Sequence, residues 1–140
     1  MNEANKVFRR SAGVFVWVGR EFLILRRTDG YWGLPAGKVN QEETLLNAAR
    51  RELLEESGID VSPGSLNGLG EYESDCGSFG CWRFGVYEIV FPTRPIVQLN
   101  AREHREYAWV TPQQLILNEK NGDLVFPKFT ELLFQIGYLN

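Results

Sequence analysis

Histidine and cysteine are nearly missing from this chain. Its 140 residues include one histidine, His104, and two cysteines, Cys76 and Cys81. A multi-histidine zinc site, a two-histidine iron triad and a four-thiolate site are therefore excluded within one chain. So is a disulfide-dense scaffold. A Ser-His-Asp mechanism would have only His104 to draw on. No apolar run approaches the ~20 residues of a membrane span. Arg9 and Arg10 followed by SAGVFVWVG resemble a short signal peptide, but the apolar part stops at Arg20-Glu21 without a small-residue cleavage site. A cytoplasmic chain with no membrane partner is expected, its two cysteines reduced. Positive charge is not in excess either, with 15 Lys plus Arg against 18 Asp plus Glu. Binding to a nucleic acid duplex is driven by clustered cations, so no such partner is expected. Any metal chemistry must rest on oxygen ligands, which select hard ions such as Mg²⁺ or Mn²⁺.

What is present suits one domain, residues 1–140, with a core of ordinary size. Residues 13–18 and 22–25 are apolar runs around Gly19-Arg20 and predict a β-hairpin. Residues 28–42, with Gly30, Gly33, Pro35 and Gly37, predict a stretch that is largely loop. A helix is expected over 43–57, strands over 67–75 and 80–91 around a turn at Gly77-Ser78, and a strand over 105–110. Thr111-Pro112 opens a short helix. Phe126 to Tyr138 forms a terminal amphipathic helix. Helices among strands of mixed direction indicate an α/β or α+β sandwich.

The chemistry concentrates in GLPAGKVNQEETLLNAARRELLEESGI, residues 33–59. Asn40 with Glu43 resembles a capping box at the helix start. Ser57-Gly58-Ile59 is a stop signal, with Gly58 in the left-handed conformation and Ile59 folding back. At roughly 100° per residue, with Leu45 at zero, Ala49 falls near 40° and Leu53 near 80°, which defines a buried arc. Glu56 falls inside that arc, near 20°, with Glu52 near 340° and Glu55 near 280° along its edge. Three carboxylates crowded at a negative helix C-terminus repel one another, and burial raises their pKa values. A divalent cation would compensate them. A solvated acidic helix end, paired with Arg50 and Arg51, is the alternative.

Residues 37–59 also resemble the Nudix box, G-x5-E-x7-R-E-U-x-E-E-x-G-U, where U is a bulky aliphatic residue. Gly37, Glu43, Arg51, Glu52, Leu53, Glu55, Glu56, Gly58 and Ile59 satisfy every specified position without a gap. The approach Arg26-Arg27…Tyr31-Trp32-Gly33-Leu34-Pro35-Ala36 and the later Glu103…Glu106…Trp109-Val110 are similar to the family's segments on either side of the box. The resemblance implies a Nudix-type α/β/α sandwich with a mixed β-sheet and the box as loop-helix-loop. It implies a pyrophosphohydrolase that cleaves a nucleoside diphosphate linked to another moiety by water attack at phosphorus. Glu52, Glu55 and Glu56 would hold Mg²⁺ or Mn²⁺, with a backbone carbonyl of Ala36 or Gly37 adding a ligand. Glu43 and Arg51 would hold loop and helix in register, and Glu52, Glu55 and Glu103 are candidates for the general base. Ala36, Asn40 and Glu42 depart from the commonest residues of the loop but replace no expected ligand.

Around the box, Lys38 can reach a phosphate, and Arg26 and Arg27 alternate across a strand, so one should face the site. The intact acids favour a nucleotide substrate, while Gly30-Tyr31-Trp32 resembles nucleotide-sugar members. A non-catalytic Nudix module or an acidic interaction surface would need none of this chemistry. Either a monomer or a homodimer is compatible with the sequence. His104 is expected as a surface histidine in a loop, Trp32 as a loop anchor and Trp109 as a core plug. Phe79 and Trp82 fit either packing or stacking.

Overall fold

Strand β1 (Arg9–Val18) divides its side chains by the period of two. Ala12, Val14 and Val16 join one apolar cluster, and Phe15 and Trp17 join another on the opposite face. Strand β2 (Glu21–Arg27) does the same, with Leu23 and Leu25 on the first side and Phe22 and Ile24 on the second. Helix α1 (Leu45–Ser57) covers the first face through Ala48, Ala49 and Leu53. Helices α2 (Pro112–Lys120) and α3 (Phe129–Ile136) cover the second through Leu115, Phe129, Leu132 and Leu133. The structure is a computed structural model and describes residues 9–73 and 81–139. Across these residues it is a mixed α+β fold, a sheet between helices, as expected.

The remaining strands are β3 (Trp32–Gly33), β4 (Ala36–Lys38), β5 (Asn67–Glu73), β6 (Trp82–Val90) and β7 (His104–Val110). They assemble in the order β3-β2-β1-β6-β5, with β4 added to β1 and β7 to β2. β1 and β6 run parallel from Arg9↔Trp82 to Trp17↔Val90, and the other pairings are antiparallel. The β1–β2 hairpin pairs at Trp17↔Phe22 and Val18↔Glu21, then splays. Past that point β1 takes β4 as its neighbour and β2 takes β3 and β7. The wedge between the two diverging strands is where the cleft described below opens.

Several boundaries differ from the sequence expectation. Residues 28–42 contain β3 and β4, because the loop's backbone completes the splayed edges of β1 and β2. The terminal helix is shorter, since Lys128 sits at φ 69 and the chain turns into the helix only at Phe129. Tyr138 leaves that helix and its ring packs against Phe15 and Trp17, with centroids 5.0 and 4.8 Å away. Its hydroxyl donates to Glu88 and accepts from Trp17 Nε1. The turn at Gly77-Ser78, Cys76 and Phe79 lie outside the described residues. Cys81 is disulfide-bonded rather than a free thiol, which corrects the expectation of reduced cysteines at this position. Among the described residues no helix is long and apolar enough to cross a membrane.

Candidate active site

Helix α1 carries the site, and its two ends are fixed locally. It starts later than the sequence suggested: Thr44 is the cap, its Oγ1 accepting from Asn47 N–H at 3.1 Å. Glu42 sits at φ 66 and turns the chain ahead of the helix, so Asn40 stands outside it. Glu43 Oε1 still accepts the Asn40 N–H, at 3.0 Å, and thereby closes the loop. At the other end Gly58 adopts φ 75, a region costly for a side chain, and its N–H reaches Leu54 O. Ile59 then turns into the core, as its place in the stop signal predicts.

Arg51 gathers the box loop. Its Nε and Nη2 donate to the two oxygens of Glu43 at 2.8 and 2.9 Å, and Nη2 also donates to Lys38 O at 2.9 Å. Its Nη1 donates to Glu52 Oε1 at 2.8 Å and to Glu55 Oε2 at 3.2 Å. The Arg51 hydrogen bonds hold the Glu43 carboxyl below its ordinary range. Glu52 lies deeper, and burial pushes its pKa up against the pull of Arg51. Gly37 makes room for it: a Cβ there would stand 2.2–2.4 Å from the Glu52 carboxylate. Glu55 is more than half exposed at the rim. Of the three acids expected on one face, Glu52 and Glu56 therefore turn inward and Glu55 turns outward.

Glu56 occupies the position its azimuth predicted, 5% exposed, with Oε1 accepting the Ala36 N–H at 2.7 Å. Burial, aided by the neighbouring Glu52 and Glu103, pushes its pKa up to about 9. Among the described residues no Arg or Lys pairs with it. The pairing of β7 with β2 instead brings Glu103 and His104 to it. Thr28 N–H donates to Glu103 O at 3.0 Å, which ties that turn to the end of β2. His104 is therefore not the surface histidine expected: it opens β7, aligned with Arg27, and is 5% exposed. Burial lowers its pKa, with Glu103 opposing. Its Nε2 lies 4.0 Å from Glu56 Oε2, and its buried Nδ1 has no hydrogen-bond partner. Ligand atoms of Glu56, Glu103 and His104 lie within 4.8 Å of one another. A buried carboxylate with no Lys or Arg partner among the described residues, beside an exposed one and a buried imidazole, fits a divalent cation.

The group opens into a cleft of about 970 Å³. Arg9, Arg27, Lys38, Arg102 and Lys128 line it. Tyr72, Trp82, Phe84 and Phe126 supply aromatic surface. The two consecutive arginines part here. Arg27 lines the cleft, with its guanidinium 5.1 Å from the Phe126 ring and 3.0 Å from Asp29. Arg26 does not: it is paired with Glu106 at 2.7 Å, bonded to Gly30 O and placed over Trp32. Trp32 thereby anchors the loop, and Arg94 lies over Trp109. Sequence reasoning missed Arg9, Arg102 and the Phe84–Phe126 walls. They come from four separate segments, and only the parallel β1–β6 register and the return of residues 124–129 bring them together. No local spacing signals that.

Comparison with known proteins identifies the family and the fold. The family model described as NUDIX domain matches residues 7–133. A MutT-like protein of Streptomyces ambofaciens is 32% identical over 107 residues, 74% of this chain and 64% of that protein. An RNA pyrophosphohydrolase of Bartonella henselae is 41% identical over 63 residues, 37% of this chain and 36% of that one. The chain thus spans less than two thirds of either relative. The crystal structure of a MutT protein from Methanosarcina mazei superposes with a TM-score of 0.77 at 25% identity, covering 94% of both chains. The chain belongs to the Nudix hydrolase family.

Proposed function

We propose that this chain is a divalent-metal-dependent pyrophosphohydrolase acting on a nucleoside triphosphate or a related nucleotide. The observation that carries the reading is the buried acid Glu56, which has no Lys or Arg partner among the described residues and sits beside Glu103 and His104 at the mouth of a cleft lined with cations and aromatic rings. Glu52, Glu55 and Glu56 would hold Mg²⁺ or Mn²⁺, with a backbone carbonyl of Ala36 or Gly37. Bound there, the ion would offset the charge of the diphosphate and acidify water. Glu43 and Arg51 fix the loop against the helix, so the acids are preorganised.

Glu103 is the exposed cleft carboxylate grouped with Glu56 and His104, and it takes the proton of the attacking water. Glu52 and Glu55, the other candidates for that role, are both held by Arg51. Arg27 and Lys38 line the cleft and would meet phosphate oxygens there. The aromatic walls suit a nucleobase, which every base can satisfy through its π-face. Two comparisons support a nucleotide substrate: the relative of Bartonella henselae is named an RNA pyrophosphohydrolase, and the fold is shared with an Ap4A hydrolase of C. elegans (TM-score 0.66, 22% identity).

The test is turnover of a panel of nucleoside triphosphates, dinucleoside polyphosphates and nucleotide sugars with Mg²⁺ or Mn²⁺ in ¹⁸O-labelled water. The expected result is hydrolysis of a nucleotide with label on a phosphorus of one product. Label in a non-phosphoryl product, or no turnover of any phosphoanhydride, would overturn the reading.

A further inference from the structure

The three α-helices do not start alike. Thr44 and Thr111 cap α1 and α2 from extended backbone, at φ -76 and -79, and each hydroxyl accepts an N–H of the first turn. Helix α3 starts from Lys128, which sits at φ 69 and ψ 5 and caps nothing with its side chain. That left-handed region suits glycine, because a Cβ crowds the backbone there. Among the described residues only Glu42 and Lys128 enter it without being glycine. The turn is firmly pinned. Phe126 N–H donates to Trp32 O at 3.0 Å, Phe129 N–H to Phe126 O at 3.1 Å and Leu132 N–H to Lys128 O at 2.8 Å. A lysine is thus held in a conformation it disfavours. Its ion pair with Glu131, at 3.0 Å, is about half exposed, and such pairs contribute little stability. Residues held in sparse backbone regions collect at ligand sites, and Lys128 lines the cleft.

Lys128 reaches the cleft by a different route from the cations beside the acids. Lys38 follows Gly37, which packs on Glu52, and Arg27 is aligned with His104. Lys128 arrives on the separate segment that carries Phe126, whose ring lies 5.1 Å from the Arg27 guanidinium. We propose that Lys128 is a specificity-determining residue that meets an anionic group of the substrate outside the cleaved diphosphate, so the cleft prefers a chain of three or more phosphates to a diphosphate joined to a neutral moiety. The inference rests on the hydrolase reading given above and chooses between substrates within it. An ammonium has three donors, so Lys128 can meet a phosphate oxygen while it keeps Glu131. The backbone cost is then a cost in stability that function retains.

The test pairs affinity with stability. Calorimetry in Mg²⁺ measures the binding of non-hydrolysable methylene analogues of ATP and GTP, and of ADP and GDP, to the full-length chain and to Lys128→Gly. The expected result is that a triphosphate analogue binds the parent at least about tenfold more tightly than its diphosphate counterpart, and that the variant loses this margin. Lys128→Gly should melt no lower than the parent, since glycine relaxes the turn. A lysine with a merely structural role would give the reverse, a lower melting temperature with the margin kept. No margin in the parent, an equal margin in both proteins, no binding of any analogue, or a variant that melts lower or does not fold would overturn the proposal. The turnover panel judges the hydrolase reading separately, and hydrolysis there leaves that reading standing under each of these failures.

Discussion

Two carboxylates on either side of Arg51 have opposite fates. Glu43 is bonded through both oxygens to Arg51 and through one to the Asn40 N–H, and its pKa falls. Glu56 has the Ala36 N–H, a neighbouring acid and a distant imidazole, and its pKa rises to about 9. The first acid is satisfied by the protein itself and holds a loop. The second has no Lys or Arg partner among the described residues, and it alone of the two opens into the cleft. Within one motif, the chain separates acids that build from acids that wait for a ligand.

The contrast breaks first in activity. Glu56→Gln should lower turnover by ~10³-fold while the fold persists, as loss of a preorganised electrostatic group does. At pH 7 its metal-free stability should stay near that of the parent, because glutamine reproduces the neutral acid and still accepts the Ala36 N–H. Steady-state assay and thermal melting check both halves. The opposite signature belongs to the Arg51 side. Arg51→Met strips Glu43 of its partner, and unfolding free energy in urea should fall by about 2–3 kcal/mol, the pair being partly buried.

Gly37→Ala sharpens the comparison at its midpoint. The new Cβ would overlap the Glu52 carboxylate, so Glu52 must shift within a packed site. Activity should fall ~10–100-fold, as misplacement of about 1 Å does, with thermal stability changed far less. The last prediction is the pH dependence of the metal-free protein. The folded Glu56 binds its proton up to about pH 9, whereas the unfolded chain releases it near 4.5. Its contribution to stability is complete below 4.5 and is lost as pH rises toward 9. Glu56→Gln should flatten that slope. Activity should run the other way and rise toward alkaline pH, since only the carboxylate holds a cation.

Much of this was legible in the sequence, for local reasons. The box fixes α1, its stop at Gly58 and the inward azimuth of Glu56, because helical periodicity and caps act over a few residues. The hairpin, the Thr111 cap and the mixed sheet followed in the same way. The start of α1 did not, because the left-handed turn at Glu42 moved the cap from Asn40 to Thr44. The burial of His104 was also hidden: it depends on β7 adding to β2, a pairing made some eighty positions along the chain. Which of Arg26 and Arg27 lines the cleft depends on Glu106 from that same strand. Long-range pairing, not local pattern, decides these residues.

The central claim is that the buried acid at the end of α1, with no Lys or Arg partner among the described residues, waits for a cation. A thermal-unfolding titration with Mg²⁺ and Mn²⁺, run on the parent chain and on Glu56→Gln, tests it most directly. The account predicts a rising midpoint for the parent, equivalent to about 2.7 kcal/mol at a hundredfold excess over the dissociation constant, and a far smaller shift for the variant. A midpoint that neither ion moves at millimolar concentration, or one that moves equally in both proteins, would contradict it.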